Sequence, residues 1–360
     1  LKRHGHLFEK ITDIENIRLA IWRSSEGKRN QKRVREILDN DLYYAYKIQQ
    51  MLLDKTYRPY RSEEKKIFDN SNLKERVINK PAYYPDQIVQ WALMLVLEPV
   101  MMRGMYHYNC GSIPGRGTSF GQKAVRKWMT KDRKNTKYCL KMDIKKFYPS
   151  VKGHILKREV RRKVKDNDCL WLIDTIIDQE EGLPIGFYTS QWFSNFVLER
   201  LDHFIKQTLG VMYYVRYVDD LVLFGRNKRQ LHRVRQAVMS FLEDFELTIK
   251  ENWQVFKTAS RPVDFLGFRF YPTHTTLRRR NALRIRRRVQ KIRKKGHLTF
   301  KDACAVISYW GWVKKSDSYL FYHKYIKPHI TIKQCKRKVS DHARAKIRGT
   351  AGRTLGLCAA

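Results

Sequence analysis

Two adjacent carboxylates, Asp219 and Asp220, follow Tyr217-Val218 and sit between largely apolar runs at 213–218 and 221–224. That pattern predicts a β-hairpin with an acidic tip, and paired exposed carboxylates are natural magnesium ligands. A second acidic strand end lies upstream at Asp143, within Lys141-Met142-Asp143-Ile144-Lys145-Lys146-Phe147-Tyr148. Carboxylates from separate strands can hold two divalent ions about 3.5–4 Å apart, activating a hydroxyl and stabilising a leaving pyrophosphate. Asp is also an ordinary turn residue, so the pair takes its meaning from the elements around it.

Neighbouring strand residues point opposite ways, which predicts that only one member of the pair faces Asp143 squarely. Residues 138–144 alternate, with Tyr138, Leu140 and Met142 on one face and Cys139, Lys141 and Asp143 on the other. This is half-buried strand chemistry. Upstream, residues 1 to about 60 carry helical apolar spacing broken by the basic loop Gly27-Lys28-Arg29-Asn30. A helix is expected from Asp86, a plausible N-cap, through Ile88, Trp91, Ala92, Leu95 and Val96 until Pro99. Thr189 or Ser190 can cap another, with Phe193, Phe196, Val197, Leu201, Phe204 and Ile205 as its stripe. Strand, helix and hairpin together make an α+β core of split β-α-β type. A helix at about 228–246 and a strand Phe265-Leu266-Gly267-Phe268 complete it.

The charge balance says what such a site would meet. The chain of 360 residues carries 74 Lys+Arg against 35 Asp+Glu, a formal +39, with 42% hydrophobic and 12% aromatic residues. This excess predicts a polyanionic partner and an attraction that weakens steeply with salt, and with this much core it favours nucleic acid. Residues 278–295 hold eleven Arg or Lys and no acid, yet Ile285, Val289 and Ile292 keep a helical stripe. The stripe implies docking and the basic face a phosphate backbone. Residues 335–353 read as disordered. The cysteines (Cys110, Cys139, Cys169, Cys304, Cys335, Cys358) form no C-x-x-C pair, which argues against a zinc site or disulfide framework and suits a reducing cytoplasm. No apolar signal core follows Leu1, and the most apolar stretch, 91–102, is too short to span a bilayer. The expectation is a soluble intracellular protein.

These motifs, in this order, resemble a reverse transcriptase. Asp143 to Tyr148 resembles the first catalytic motif, and Tyr217 to Asp220 the Y-x-D-D box. The resemblance implies a right-hand polymerase: fingers, a palm with the split β-α-β sheet, and a helical thumb. The implied segments are 1–60 (N-terminal helical part of the fingers), 61–135 (fingers), 136–276 (palm), 277–334 (basic thumb) and 335–360 (basic tail). It implies catalysis by Asp143, Asp219 and Asp220, with Asp219 the principal partner of Asp143. Two Mg2+ ions would be held by these carboxylates and the Ile144 carbonyl. Lys74 and Arg76 would neutralise the deoxynucleoside triphosphate, and Arg suits that work because its planar fork grips phosphate bidentately. Tyr148 would exclude a ribose 2′-hydroxyl, and Lys250 stands where a general acid for pyrophosphate often lies. Gly115, Arg116 and Gly117 match the glycine-rich segment that approaches the template. Phe265, Leu266 and Gly267 match the primer grip, and Arg286 and Arg287 lie on the basic helix that would follow an RNA/cDNA duplex.

Leu183-Pro184-Ile185-Gly186 stands where ordinary members read L-P-Q-G, and Ser190-Gln191 follows. This I-G-x-x-x-S-Q pattern resembles the reverse transcriptases of diversity-generating retroelements, as do Glu15-Asn16, Gly27-Lys28-Arg29, Trp253-Gln254-Val255, Tyr309-Trp310-Gly311-Trp312 and Ser316-Asp317-Ser318-Tyr319. That subgroup implies adenine-mutagenic copying of a template-repeat RNA, nucleotide contacts from Ile185 and Gln191, and a small, basic, helical, oligomeric accessory protein. It also implies a bacterial or phage-encoded cytoplasmic enzyme without a membrane. One departure is Asp86-Gln87, where the family commonly has Asp-Arg, so that contact is missing or supplied by Lys80. Alternatives are a group II intron-type or phage-defence reverse transcriptase and, from another class, an RNA-binding protein on a polymerase scaffold that would have lost a carboxylate.

Overall fold

A computed structural model describes residues 3–69 and 74–355. The chain divides into two compact units, 1–121 with 138–255, and 122–137 with 256–360. The expected boundary between fingers and palm, at 135–136, therefore falls inside the 122–137 segment of the second unit, and 256–276 groups with the basic C-terminal segment.

The first unit opens with helices α1 (Phe8–Ile11), α2 (Ile14–Ser24), α3 (Lys32–Asp39) and α4 (Asp41–Leu53), matching the helical spacing of this region. Asp13 caps α2 by accepting from the Asn16 amide, and the Asn16 side chain donates to the carbonyls of Ile11 and Ala92. An antiparallel hairpin follows, β1 (Glu63–Asp69) with β2 (Lys74–Lys80), in the register Glu63↔Lys80 and Ile67↔Arg76. Helix α5 (Ile88–Met102) runs through Pro99 rather than stopping there. Leu97, Val100 and Met101 around it are buried, so packing holds the turn that lost its amide donor. Asp86 does not cap α5. It is buried in the irregular turn before it, where it accepts from the Tyr57 hydroxyl (3.0 Å) and the Tyr60 amide (3.1 Å), and burial pushes its carboxyl up to about 6.

Helix α6 (Thr118–Lys131) carries the chain into the second unit, and β3 (Tyr138–Asp143) begins its return. Helices α7 (Phe147–Ser150), α8 (Gly153–Arg161), α9 (Asn167–Ile177), α10 (Tyr188–Val197) and α11 (Glu199–His203) precede the hairpin of β4 (Tyr213–Tyr217) and β5 (Asp220–Gly225). Helix α10 starts one residue before Thr189, after an N-cap Phe187 that makes no side-chain bond; Thr189 and Ser190 are buried in its first turn instead of capping it. Helix α12 (Lys228–Glu243) follows with Asn227 as cap. The sheet order is β4-β5-β3, with β6 (Gln254–Lys257) at its edge. One core joins Ile17, Ile48, Leu93, Leu140, Phe193, Leu221 and Leu242, all buried.

In the second unit, β7 (Val263–Phe265), β8 (Phe268–Phe270) and β9 (Thr275–Leu277) form a small antiparallel sheet. The strand expected at 265–268 is in fact the tip of the β7–β8 hairpin. Phe265 pairs with Phe268, and Leu266 (φ 50°) and Gly267 (φ 84°) make a two-residue turn. Helix α13 (Arg279–Lys295) buries Ile285, Val289 and Ile292, as its stripe requires. It is followed by α14 (Phe300–Val313), α15 (Tyr319–Tyr325) and α16 (Ile332–Leu355). Residues 335–353 are therefore helical rather than disordered. Residues 122–137 join this unit through the Arg126–Asp317 ion pair (2.7 Å) and the Thr258 hydroxyl on the Thr136 carbonyl (2.8 Å). Asp317 also accepts from the Thr275 amide, which gives the Ser316-Asp317-Ser318 segment a structural role. Among the described residues, no helix is long and apolar enough to cross a membrane, and Cys110, Cys139, Cys169, Cys304 and Cys335 form no disulfide.

Candidate active site

Strands β3 and β5 bring the carboxylates together. Asp143 ends β3 and is the register partner of Asp220, the first residue of β5, while Tyr217 pairs with Asp220 across β4. Val218 and Asp219 therefore form the two-residue turn. Asp219 is a turn residue, and the opposition of neighbouring strand side chains does not sort the pair: Asp220 holds the register position opposite Asp143. The Asp219 carbonyl accepts from the Ile144 amide at 3.2 Å, tying the turn to β3.

The turn is held in an uncommon conformation. Val218 has φ 56°, a region that β-branched residues rarely enter. Two neighbours stabilise it. Arg216, fully buried, donates from Nη1 to the Val218 carbonyl (3.0 Å) and from Nε to Asp202 (2.8 Å). Gly111 packs against the turn, where a Cβ would stand 2.6 Å from the Val218 amide nitrogen. Asn195 completes the support by donating to the Gly111 carbonyl at 2.6 Å. Sequence reasoning passed over Arg216, Asp202 and Asn195, and read Gly111 only as the start of the glycine-rich segment. A lone Arg inside an apolar strand was the available signal, since burial of such a charge demands a partner.

The electrostatics follow from crowding. Burial, and next the charge of Asp143, raise the Asp219 carboxyl above its ordinary value, while Lys250 and Arg76 pull it down. Burial raises Asp220 to about 6, opposed by Lys141 and reinforced by Asp143 and Asp219. Lys141 lies 3.5 Å from Asp220, and the Lys250 ammonium pairs with Asp143. Among the described residues no three His, Cys, Asp or Glu side chains are gathered into a ready metal cage. The lysines take up the carboxylates instead. A divalent cation nonetheless fits the donor set: three mutually repelling carboxylates converge here, and Asp220 Oδ1 is buried with no hydrogen-bond partner. The bridge from Ile144 to Ile249 uses the Asp143 carbonyl and the Lys145 amide, so neither bond occupies the Ile144 carbonyl.

Other expected residues converge on the same place. Arg76, exposed on β2, acts electrostatically on both Asp219 and Tyr148. Lys74 begins β2, and its side chain lies outside the described part. Burial raises the Tyr148 phenol, whose oxygen lies 3.5 Å from Ser194 Oγ on α10. The 182–186 loop is fixed on both sides. A Cβ on Gly182 would meet Pro149 at 2.8 Å, and one on Gly186 (φ 119°) would meet the Asn79 carbonyl at 2.3 Å. The Asn79 amide donates to the Ile185 carbonyl (2.8 Å), so Ile185 is seated against β2, and Gln191 follows on the exposed side of α10.

Gly115 takes φ 72° in a tight turn, Arg116 donates to the Tyr106 carbonyl (3.1 Å), and a Cβ on Gly117 would meet nothing. Phe265, Leu266, Gly267, Arg286 and Arg287 belong to the second unit. There Phe265 is buried, Gly267 packs on Asn281, Arg286 lies over the Tyr325 ring at 4.7 Å, and Arg287 is exposed.

Retron Ec73 reverse transcriptase of Escherichia coli is 28% identical over 216 residues, 55% of this chain and 65% of that protein. Protein YkfC of Escherichia coli (strain K12) is 23% identical over 236 residues, 53% of this chain and 61% of that protein. The chain thus spans less than two thirds of the length of these curated relatives. Among solved structures, apo telomerase from Candida tropicalis superposes with a TM-score of 0.48 at 14% identity, covering 69% of this chain and 52% of that one. Telomerase from Candida albicans in complex with a fragment of telomeric RNA gives 0.47 at 12%, covering 79% and 61%. The profile described as "Reverse transcriptase (RNA-dependent DNA polymerase)" matches residues 70–270, which contain Asp143, Asp219, Asp220 and Lys250. With more than half of its length matched, the chain belongs to the reverse transcriptase family and has that family's α+β right-hand polymerase fold.

Proposed function

We propose that this protein is an RNA-directed DNA polymerase that copies the template-repeat RNA of a diversity-generating retroelement into error-prone cDNA. The observation that carries the polymerase reading is the convergence of Asp143, Asp220 and the turn residue Asp219, with Arg76 and Tyr148 in their field. Asp143, Asp219, Asp220 and the Ile144 carbonyl would hold the two Mg2+ ions. Such ions, when bound, lower the pKa of a primer hydroxyl and neutralise the leaving pyrophosphate. Arg76, with Lys74 two residues before it, binds and orients the triphosphate. Tyr148, fixed by Ser194 and the 182–183 loop, forms the floor against which a deoxyribose fits. Lys250, paired with Asp143, would hand a proton to pyrophosphate once that pairing is relaxed.

Residues 1–135 serve as fingers, 136–276 as palm and 277–334 as thumb, with the basic face of α13 along the RNA/cDNA duplex. The partners in this reading are the template RNA, deoxynucleoside triphosphates and an oligomeric basic accessory protein, in a bacterial cytoplasm. A retron-type, phage-defence role is the second reading, favoured by the likeness to the retron Ec73 enzyme.

Ile185 separates the two. A Gln there could hydrogen-bond the nascent pair, whereas Ile supplies shape alone, a difference of about 1 kcal/mol in discrimination. Primer extension on an adenine-rich RNA should show Ile185→Gln lowering adenine errors about fivefold, with other errors changed less. An unchanged adenine error rate would remove the diversity-generating assignment and leave the retron-type reading.

A further inference from the structure

Within the first unit, a cavity of about 540 Å³ lies among the end of α8, helix α11 with the helical turns at 204–208, and α12. None of the residues placed around the carboxylates lines it.

Its floor is an ion pair. Lys163 donates to Glu199 at 2.6 Å, both side chains are nearly buried, and the Lys163 ammonium lies over the Phe196 ring at 5.0 Å. Gly104 permits the pair, since a Cβ there would stand 2.7 Å from the Lys163 ammonium. The Gly104 carbonyl also meets His203 Nε2 at 2.8 Å. One wall is aromatic. Phe204 and Phe241 stack with ring centroids 4.5 Å apart, and the Arg200 guanidinium lies over Phe241.

The rim is cationic. Arg158, Arg162 and Arg200 converge on Glu159, which is only 4% exposed. Arg158 and Arg200 reach Asp244 as well, whereas Arg162 donates one N–H to Glu159 at 3.2 Å out of the five that a guanidinium carries. Three guanidiniums against two carboxylates leave one positive charge, and the neutralised floor adds none.

That balance selects a ligand. A polyphosphate or a nucleic acid strand would meet Glu159 and Glu199 with a single cation in excess, so it fits poorly. A wholly apolar body would desolvate the rim arginines without returning a hydrogen bond. A planar ring system with one carboxylate satisfies both parts, stacking on the Phe204–Phe241 wall and taking a charge-assisted bond from Arg162. The volume suits a small molecule of that kind.

The cavity also has a route to the catalytic turn. Glu199 and His203 line it from α11, and Asp202 of the same helix is the buried partner of Arg216, which holds the Val218 carbonyl. A ligand seated on α11 favours the arrangement in which Asp202 and Arg216 grip that strained turn.

We propose that this cavity is a binding site for a small planar aromatic carboxylate, and that its occupancy braces the turn carrying Asp219 through α11. The binding half stands without the polymerase reading; the kinetic half rests on it.

The test is calorimetric titration of the full chain with 2-naphthoate in EDTA, which requires no turnover. One site per chain is expected, with uncharged 2-naphthamide about tenfold weaker. Arg162→Gln should weaken naphthoate by a similar factor. Thr208→Trp, at an exposed lining position, should fill the cavity and block binding with the melting midpoint unchanged. Saturating single-stranded RNA should leave naphthoate affinity unaltered. No binding, binding that RNA displaces, or binding that both variants leave intact overturns the site. In single-nucleotide incorporation, saturating naphthoate should raise kcat about twofold with KM for deoxynucleotide unmoved. It should bind the double variant Arg216→Met with Asp202→Asn yet leave that variant's residual kcat as it was. Naphthoate bound with wild-type kcat unchanged, or acting equally on the double variant, overturns the link through α11. A wild-type protein that binds naphthoate but adds no nucleotide would refute the polymerase reading and not the cavity.

Discussion

Asp219→Asn should reduce nucleotide incorporation about a thousandfold or more while leaving the protein folded, because several kcal/mol of transition-state stabilisation pass through this carboxylate. The variant should also be at least as stable as the wild type at neutral pH. The Asp219 carboxyl is raised above its ordinary value of 3.8, first by burial and then by Asp143. A raised carboxyl contributes stability that is fully present below its unfolded pKa and is lost as pH rises through its folded pKa. At neutral pH the ionised Asp219 is therefore a net cost, which Asn removes. Melting curves should show the variant's advantage shrinking as the pH is lowered toward 4. A variant that loses activity together with its fold would show that Asp219 is structural.

Arg216→Ala should cost about 3–5 kcal/mol of stability, the magnitude for stripping one partner from a buried ion pair. Arg216 and Asp202 are both fully buried, and the Tyr214 hydroxyl also donates to Asp202 at 2.7 Å. Ala leaves that carboxylate uncompensated. The double variant Arg216→Met with Asp202→Asn removes both charges, keeps an acceptor for Tyr214, and should recover most of the loss in a denaturant titration. It should not recover activity. The bond from Arg216 Nη1 to the Val218 carbonyl is absent in both variants, so the turn carrying Asp219 relaxes from φ 56°. We expect incorporation to stay at least tenfold down in the stable double variant, a loss of about 1.4 kcal/mol or more in barrier terms. Full activity there would mean that the turn holds itself.

The elements that position the site were legible because their signals are local. Asp143 at a strand end, the acidic hairpin and the basic loop at 27–30 all stand where spacing and charge put them. So does the stripe of α13. What escaped the sequence was decided by tertiary partners. Pro99 looks like a stop signal until its helix is buried on most sides, and Asp86 looks like a cap until Tyr57 and the Tyr60 amide claim it. Leu266-Gly267 reads as strand because both flanks are apolar, yet two positive φ values turn it back. Residues 335–353 carry charge enough to suggest disorder, but Cys335, near the start of α16, is buried. At the site, spacing identified the carboxylates but not their support, because Gly111, Asn195, Asp202 and Arg216 meet only in the folded chain.

The central claim is that the carboxylates at the β3–β5 edge make this chain a metal-dependent, template-directed polymerase. It is tested most directly by offering the wild-type protein a primed RNA and one deoxynucleotide at a time, with Mg2+ or with EDTA. The prediction is extension in Mg2+ by the nucleotide complementary to the next template base, with mispairs concentrated opposite adenine, and none in EDTA. A protein that binds the primed RNA tightly yet adds no nucleotide in Mg2+ would contradict the account.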